Sequence, residues 1–342
     1  MAERLLEVKG LKVRFATEDG IVHAVDGVDF ELDRGRVLGI VGESGSGKSV
    51  TALTILGLTR GPNARFEGTV TYKGQDLLKM PESRLQDVRG NEIAMIFQDP
   101  MTSLNPVYRV GDQIVEAIMT HENAGKRDAR RRAVDLLRQV GIPNPERRVD
   151  DYPHQFSGGM RQRAMIAMAL SCNPDILIAD EPTTALDVTI QAQILELVDR
   201  LKDDFNSAVI FITHDLGVVA EITDEILVMY AGRVVERGAK RALFYDPQMP
   251  YTWGLLGSIP RLDRPKSEKL HSITGAPPSL INLPRGCKFR PRCPHAFQKC
   301  YEEPALENRV ETAGHLDRCW LSVDEKRNVR DATIKGEAEA AA

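Results

Sequence analysis

The feature that most constrains this chain is a glycine-rich segment between an apolar run and a helical pattern. Residues 42–49 read Gly-Glu-Ser-Gly-Ser-Gly-Lys-Ser, which matches G-x-x-x-x-G-K-[ST]. Glycines let successive backbone N–H groups turn inward around phosphate oxygens, and the following helix N-terminus adds partial positive charge. Lys48 would reach the β- and γ-phosphates and Ser49 would ligate Mg²⁺. The predicted phosphate-binding residues are Gly42, Ser44, Gly45, Ser46, Gly47, Lys48, Ser49 and Val50.

The segments around this motif alternate between apolar strands and helical patterns. Residues 37–41, 176–179 and 208–213 are apolar throughout, and helical periodicity covers residues 160–171 and 188–203. Strands that are apolar on both faces and separated by helices indicate a parallel sheet covered on two sides. The position of the motif between an apolar strand and a helix favours phosphate binding. The alternative interpretation is a glycine-rich turn that contains a lysine by chance.

The segments outside this predicted parallel sheet have other sequence patterns. Residues 1–75 carry short β-branched runs broken by Gly, Asp and Asn, with strands predicted at 5–8 and 13–15. Residues 101–157 carry helical periodicity and predict a helical insertion. Prolines become dense after residue 247, where we expect loops rather than long elements.

Charge and hydropathy restrict the class of protein. The 342 residues carry a formal net charge of −4, which does not favour a general polyanion binder. No run approaches 18 consecutive apolar residues, and the N-terminus lacks the apolar region of a signal peptide. We therefore expect a chain that neither spans a membrane nor is exported, with any membrane role supplied by a partner.

Polar side chains follow three of the apolar runs. Asp180 and Glu181 come directly after residues 176–179. An Asp there helps to hold Mg²⁺, and a Glu beside it can polarise a water for attack on the γ-phosphorus, which favours hydrolysis over transfer. Gln98 follows a further apolar run at residues 93–97, and His214 follows residues 208–213; a nucleotide site in a parallel sheet would lie at such strand ends. The alternative is an acidic pair that only caps the next turn.

A second glycine-rich turn lies at residues 157–162, Ser-Gly-Gly-Met-Arg-Gln, at the start of a predicted helix. Because the first motif already binds the nucleotide of this chain, a second anion-binding turn makes most sense if it serves the nucleotide of a neighbouring molecule. The alternative is a simple helix start in which Ser157 is the N-cap.

The order of these features resembles that of the ATP-binding cassette (ABC) ATPases over about residues 5–245. The resemblance implies an α/β P-loop NTPase cassette with a RecA-like parallel sheet core, an antiparallel β subdomain and a helical subdomain, followed by a small loop-rich module that contains cysteines. The expected boundaries are 1–245 for the cassette, about 101–157 for its helical subdomain, 246–322 for a C-terminal extension and 323–342 for a tail.

The resemblance also implies roles for individual residues. Catalysis would involve Glu181, His214 and Gln98, while Ser49, Gln98 and Asp180 would hold Mg²⁺. Two cassettes would associate head to tail, with each ATP between one P-loop and the signature turn of the other. The further residues implied to contact ATP are Phe15, which would stack on adenine, and Ser157, Gly158, Gly159 and Asp187.

Longer stretches of the sequence resemble a more specific group within the ABC ATPases. Residues 97–106, 152–155 and 179–193, with Pro250-Tyr-Thr252 and Pro284-x-Gly-Cys-x-Phe-x-Pro-Arg-Cys293, resemble the ATP-binding subunits of bacterial dipeptide/oligopeptide importers, most of all the dipeptide type. This implies an ATPase that powers import of di- and oligopeptides. Similar importers take up nickel or glutathione, and a soluble ABC ATPase acting on nucleic acid or ribosomes is the alternative class.

The resemblance further implies partners and a location. The partners are a second ABC ATPase subunit, expected to be a paralogue in a heterodimer, two integral-membrane permease subunits and, indirectly, an extracytoplasmic peptide-binding protein. No nucleic acid is expected. The chain would lie peripherally on the cytoplasmic face of the bacterial inner (plasma) membrane.

Four of the five cysteines form a cluster, Cys287, Cys293, Cys300 and Cys319, with the spacing C-x5-C-x6-C-x18-C. The C-x2–4-C knuckles of structural zinc sites are missing, whereas a [4Fe–4S] cluster needs only four converging thiolates. Nearby cations would offset the cluster charge and lower the thiol pKa values. They are Arg285, Lys288, Arg290, Arg292 and Lys299.

Three alternatives to the iron–sulfur cluster are open. His295 or His315 could replace one cysteine in a zinc site, the thiols could be free, or two pairs could oxidise on purification. The remaining cysteine, Cys172, is predicted to be a small buried hydrophobe.

Overall fold

A mixed sheet of eight strands forms the centre of the computed structural model, which describes residues 3–184, 187–259 and 273–335. The described strands are β1 (Arg4–Thr17), β2 (Gly20–Asp33), β3 (Val37–Val41), β4 (Ala64–Tyr72), β5 (Gln75–Asp76), β6 (Ile93–Ile96), β7 (Ile176–Asp180), β8 (Ala208–Thr213), β9 (Glu225–Tyr230), β10 (Arg233–Ala239), β11 (Glu307–Asn308) and β12 (Leu316–Asp317). The central order is β11-β12-β10-β9-β3-β8-β7-β6.

Helices cover this sheet and connect its strands. Those that the structure describes are α1 (Lys48–Ile55), α2 (Glu82–Val88), α3 (Pro100–Ser103), α4 (Val110–His121), α5 (Lys126–Gln139), α6 (Pro145–Arg148), α7 (Gly158–Ala169), α8 (Val188–Phe205), α9 (Leu216–Ile222), α10 (Lys240–Tyr245), α11 (Pro250–Gly257) and α12 (Val323–Lys335). None of these described helices combines the length and apolarity that a membrane crossing requires.

The strands from β9 to β6 run parallel, as their apolar sequences predict. β3 pairs in parallel with β8 on one side and β9 on the other, and every residue of β3 and β8 is buried. A parallel sheet must be covered on both faces, and two apolar clusters do this here. The carboxyl ends of β3, β6, β7 and β8 therefore lie along one edge.

The N-terminal strands form a separate antiparallel sheet of order β2-β1-β4-β5. The prediction of two short strands at 5–8 and 13–15 is wrong, because β1 is continuous from Arg4 to Thr17. β-Bulges between Val8 and Leu11 absorb the irregular pattern around Gly10, while β2 and β4 pair with both halves of β1.

Residues 100–148 are helical, as their periodicity predicts, and contain α3 to α6. Helix α5 buries Ala129, Ala133, Leu136 and Leu137 on one face. The arginines on its other face form ion pairs with neighbouring carboxylates: Arg130 with Asp150, Arg132 with Glu122, and Arg138 with Asp135 and Glu146. This basic face is therefore paired within the chain.

The region after residue 247 is loop-rich, as predicted, apart from its helices at either end. Helix α11 buries Pro250, Tyr251, Thr252 and Trp253, and α12 packs against it. Residues 323–335, which the sequence assigned to a tail, form this α12 helix. The strands β11 and β12 join the central sheet through β10.

Candidate nucleotide-binding site

The glycine-rich loop turns sharply from β3 into α1. Gly47 is the N-cap of α1 with φ 102°, and a Cβ there would lie 2.5 Å from the carbonyl oxygen of Ala24. Only glycine satisfies both conditions. Nζ of Lys48 donates hydrogen bonds to the carbonyl oxygens of Gly42 (2.7 Å) and Glu43 (3.0 Å), and burial lowers its pKa.

Ser46 provides an observation that points to a ligand in this loop. Its Oγ is buried and has no hydrogen-bond partner among the described residues. A buried hydroxyl without a partner is costly, and an oxygen-rich anion in the loop would supply one. Together with the Lys48 ammonium, this arrangement fits a phosphate chain.

The loop borders a cavity of about 940 Å³, a volume sufficient for a nucleotide. Its walls come from the loop, from side chains at strand ends and from the C-terminal extension. The lining residues are Glu43, Ser44, Gly45, Ser46, Gly47, Lys48, Ser49, Val50, Gln98, Glu181, Thr184, His214, Leu255, Ser258, Ile273 and Pro277. The last four were not expected from the sequence.

Two carboxylates lie at the end of β7 beside the loop. Oδ1 of Asp180 accepts a hydrogen bond of 3.0 Å from Oγ of Ser49, which places two of the three predicted Mg²⁺ ligands side by side. Asp180 is buried, and this burial raises the pKa of its carboxyl group. A bound divalent cation would counter that effect, because a nearby positive charge favours the carboxylate.

Glu181 is the point at which the strand-end side chains meet. Its Oε2 accepts hydrogen bonds from Nε2 of Gln98 and Oγ1 of Thr184, both 3.0 Å long. Nδ1 of His214 lies 3.3 Å from its Oε1. Glu181 also has φ 48°, an uncommon backbone conformation for a non-glycine residue and one that is enriched at functional sites.

Thr184 is a site residue that the sequence analysis missed, although it lies three residues after Glu181 in the segment quoted for the resemblance. Its hydroxyl donates a hydrogen bond to the Glu181 carboxylate and so helps to fix that group. Thr184 could be recognised from the sequence only after Glu181 had been identified as a site residue, because Thr184 acts by donating a hydrogen bond to Glu181.

Five predicted nucleotide contacts lie away from the cavity. Ser157 accepts a hydrogen bond from the Met160 amide at the start of α7, and Asp187 accepts one from the Ile190 amide at the start of α8. Both residues are exposed, as is Gly158. Gly159 follows in α7, and Phe15 is half-buried against the apolar cluster of the antiparallel sheet. The neighbouring residues 185 and 186 lie outside the described residues.

The four clustered cysteines lie around one small cavity of about 20 Å³. All four are free thiols, and no group of three or more His, Cys, Asp or Glu side chains in the described ranges is arranged to hold a metal ion. His295 borders the same cavity, whereas His315 lies with its Nε2 2.8 Å from Oε1 of Glu236.

The expectation of lowered thiol pKa values is wrong. Burial raises the pKa of Cys287, and it raises those of Cys293 and Cys319 to about 12. The cations expected to act on the thiols contact other groups. Arg292 pairs with Glu43 and Lys288 with Glu303, while Arg290 stacks on Tyr301 and Lys299 on Trp320.

Cys172 agrees with its prediction. It is buried at the C-terminal end of the α7 segment, and its Sγ lies 3.7 Å from the carbonyl oxygen of Ala117. Burial raises its pKa, so the thiol is protonated at neutral pH.

Comparison with solved structures identifies the fold. The chain is similar to MJ0796, a bacterial ABC transporter cassette described as a dimer, with a TM-score of 0.62 at 27% identity over 69% of this chain and 99% of that one. It is also similar to cbiO1 of Clostridium perfringens, part of the ABC transporter complex cbiONQ, with a TM-score of 0.60 at 26% identity over 71% and 92%. The predicted cassette fold is confirmed.

Comparison of sequences identifies the family. An ABC transporter family model matches residues 25–184, and a model of the oligopeptide/dipeptide transporter C-terminal region matches residues 235–300. The oligopeptide transport ATP-binding protein OppD of Salmonella typhimurium is 54% identical over 95% of this chain and 96% of its own. The dipeptide transport ATP-binding protein DppD of Bacillus subtilis is 49% identical over 98% and 99%. The chain therefore belongs to the ATP-binding proteins of the oligopeptide and dipeptide ABC transporters.

Proposed function

We propose that this chain hydrolyses ATP to power the import of di- and oligopeptides through a membrane complex. The observation that carries the proposal is the convergence of Gln98, Thr184 and His214 on the Glu181 carboxylate, opposite the Lys48 loop. Such a set serves hydrolysis of a nucleotide. The match of residues 235–300 to the peptide transporter region, and the names of relatives about half identical in sequence, support peptides as the solute.

In this proposal each residue at the site has a defined role. Lys48 turns from the loop carbonyls to the β- and γ-phosphates, and Ser49, Gln98 and Asp180 hold Mg²⁺. Glu181 accepts the proton of the attacking water, while His214 and Gln98 orient the γ-phosphate and the water. The nucleotide contacts are Phe15, Gly42, Ser44, Gly45, Ser46, Gly47, Lys48, Ser49 and Val50, completed by Ser157, Gly158, Gly159 and Asp187 of a second cassette.

In this proposal the nucleotide site is divided between two chains, so a second cassette is required as a partner. Ser157 and Asp187 are exposed and lie away from the cavity of their own chain, which supports a head-to-tail pair. The dimer described for MJ0796 provides a precedent for two cassettes. We propose a paralogue as the partner, so that the pair is a heterodimer.

The membrane partners are proposed to be two permease subunits, supplied with solute by an extracytoplasmic peptide-binding protein. Exposed apolar side chains lie in the segment that follows Gln98 in the sequence, with Val107 72% and Tyr108 57% exposed. Exposed apolar side chains in the segment after a catalytic glutamine suit a permease contact through which ATP binding is transmitted. In this proposal the chain lies peripherally on the cytoplasmic face of the bacterial membrane.

The proposed division of the chain follows these roles. Residues 1–245 form the cassette, with a helical subdomain at about 101–157 that carries the permease contact. Residues 246–322 form the C-terminal extension with the four cysteines, and residues 323–342 follow it. The near-neutral charge of −4 gives no support to nucleic acid as a partner.

We propose that the cysteines hold a [4Fe–4S] cluster. All four thiols border one cavity, which supports a common ligand. A single zinc ion would hold its thiolate sulfurs only about 3.8 Å apart at the usual Zn–S distance. A cubane cluster holds its four cysteine sulfurs further apart, and the spacing C-x5-C-x6-C-x18-C lacks the close cysteine pairs of structural zinc sites. The raised pKa values of Cys293 and Cys319 favour the protonated form of these two thiols until the metal binds.

Anaerobic purification tests the cluster. We expect broad absorbance at the blue end of the visible range, and about four iron and four sulfide ions per chain. Cys300→Ser should lose the colour, and Cys172→Ser, which changes the one cysteine outside the cluster, should keep it. A colourless wild-type chain that contains zinc would establish the zinc alternative, and one without metal would establish free thiols.

Uptake in cells tests the solute. A strain that lacks this chain should lose uptake of labelled di- and tripeptides, and the wild-type gene should restore it. A chain with Glu181→Gln is the inactive control. If nickel or glutathione uptake is lost instead, or if the purified chain brings down nucleic acid rather than permease subunits, the peptide assignment is wrong.

A further inference from the structure

The C-terminal extension forms hydrogen bonds with the phosphate-binding loop at Glu43. Nη1 and Nη2 of Arg292 donate hydrogen bonds of 2.6 and 3.0 Å to the two carboxylate oxygens of Glu43. The backbone N–H of Glu43 donates to Oη of Tyr251 at 2.9 Å. Residues 208 and 249 positions later in the chain thus hold both the main chain and the side chain of Glu43.

Arg292 is itself fixed within the extension. It directly precedes Cys293, its side chain is only 5% exposed, and Nε donates to the carbonyl oxygen of Thr274 at 3.0 Å. A bidentate guanidinium–carboxylate pair has a defined geometry, and burial makes an unpaired charge on either partner costly. A displacement of the extension therefore acts on the loop through this pair.

Glu43 is also one of the two loop residues whose carbonyl oxygens hold Lys48. Its carbonyl oxygen accepts a 3.0 Å hydrogen bond from Nζ of Lys48, the group proposed to bind the phosphates. When Lys48 turns to a phosphate, that hydrogen bond to Glu43 changes. The Glu43 carboxylate also borders the cavity, where a negative charge without Arg292 would repel a phosphate chain.

We infer that Arg292 is a positioning residue for the phosphate-binding loop and that, through Glu43, nucleotide binding and the C-terminal extension influence each other. This inference rests on the proposed function, because it takes the loop to bind ATP. Influence between two sites is reciprocal for binding: if the extension supports nucleotide affinity, the nucleotide must alter the extension.

The chain contains a built-in reporter for this influence. Its two tryptophans, Trp253 and Trp320, both lie in the C-terminal extension. Trp253 is buried on α11 two residues after Tyr251, and Trp320 follows Cys319. Tryptophan fluorescence therefore reports on the extension and not on the cassette.

Titration of the full-length chain with MgADP and MgATP tests the inference by calorimetry and tryptophan fluorescence. The wild-type chain should bind both nucleotides with a change in fluorescence. Arg292→Gln should bind about tenfold more weakly, because Glu43 is left unpaired beside the phosphates, and should lose the fluorescence change. The double variant Glu43→Gln/Arg292→Gln should recover most of the affinity but not the fluorescence change.

Two further variants complete the experiment. Arg290→Gln removes another cation from the turn that contains Arg292. Because Arg290 contacts Tyr301 rather than the phosphate-binding loop, this variant should behave as the wild type. Glu43→Gln breaks the pair from the cassette side and should lose the fluorescence change, even if Arg292→Gln does not fold. Wild-type affinity and fluorescence in Arg292→Gln, or a double variant as weak as Arg292→Gln, would overturn the inference. A wild-type chain that binds no nucleotide would overturn the proposed function as well.

Discussion

Replacement of Glu181 by glutamine should slow ATP turnover by about 10²- to 10⁴-fold and leave MgATP binding intact. Glutamine keeps the shape of the side chain, and its carbonyl oxygen can still accept hydrogen bonds from Gln98 and Thr184. An amide does not take the proton of an attacking water, so only the chemical step is lost. The measurement is phosphate release together with calorimetric binding of MgATP.

The matched control for this variant is Glu43→Gln, which changes the other glutamate at the same cavity. Glu43 pairs with Arg292 and makes no contact with Gln98 or His214 in the described structure, so its replacement should reduce turnover far less. Wild-type turnover in Glu181→Gln would eliminate Glu181 as the base. A loss of MgATP binding in that variant would instead point to a role in holding the nucleotide.

The arrangement around Glu181 could be predicted because the geometry of a parallel sheet fixes it. Gln98, Glu181 and His214 each follow an apolar run, and the carboxyl ends of parallel strands share one edge. The strands β3 and β8 coincide with the apolar runs that predicted them. The local sequence pattern was sufficient to predict these strands, because strands that are buried on both faces contain few polar residues.

Other features depend on contacts that no local pattern encodes. Arg292 was interpreted as a countercharge for the cysteines because it is their neighbour in sequence, whereas its partner Glu43 lies 249 residues away. The direction of the thiol pKa shifts depends on burial, which no local sequence pattern reveals. Ser157 does not line the cavity of its own chain, and its proposed role depends on a second cassette.

The C-terminal helix α12 is a further element that the sequence pattern did not predict, because the helix depends on a buried contact. Lys326 lies in a charged segment that suggested a tail, yet it is completely buried. Its Nζ donates a 2.7 Å hydrogen bond to Oδ1 of Asp317, which also accepts from the Cys319 amide at 3.0 Å. A buried ion pair therefore joins α12 to the strand beside the cysteines.

Replacement of Lys326 by methionine should lower the free energy of unfolding by about 3–5 kcal/mol, because it leaves the Asp317 carboxylate buried without its main partner. Burial already raises the pKa of Asp317 in the folded chain, and Lys326 opposes that effect. Without Lys326 the folded pKa should rise further above the unfolded value. A group of this kind favours folding when protonated and loses that contribution as the pH rises, so the variant should be more destabilised at about pH 8 than at about pH 5.

Urea unfolding at both pH values measures the effect, and two variants separate charge burial from other causes. Asp317→Leu/Lys326→Met removes both charges and should recover most of the lost stability, because an apolar pair can replace a buried ion pair. Lys79→Met removes a lysine that is 78% exposed and paired with Asp76, and should change the stability by less than about 1 kcal/mol. If Lys326→Met is as stable as the wild type at both pH values, the pair does not anchor α12. If the double variant is as unstable as Lys326→Met, lost packing of the lysine stem is responsible instead of the unpaired carboxylate.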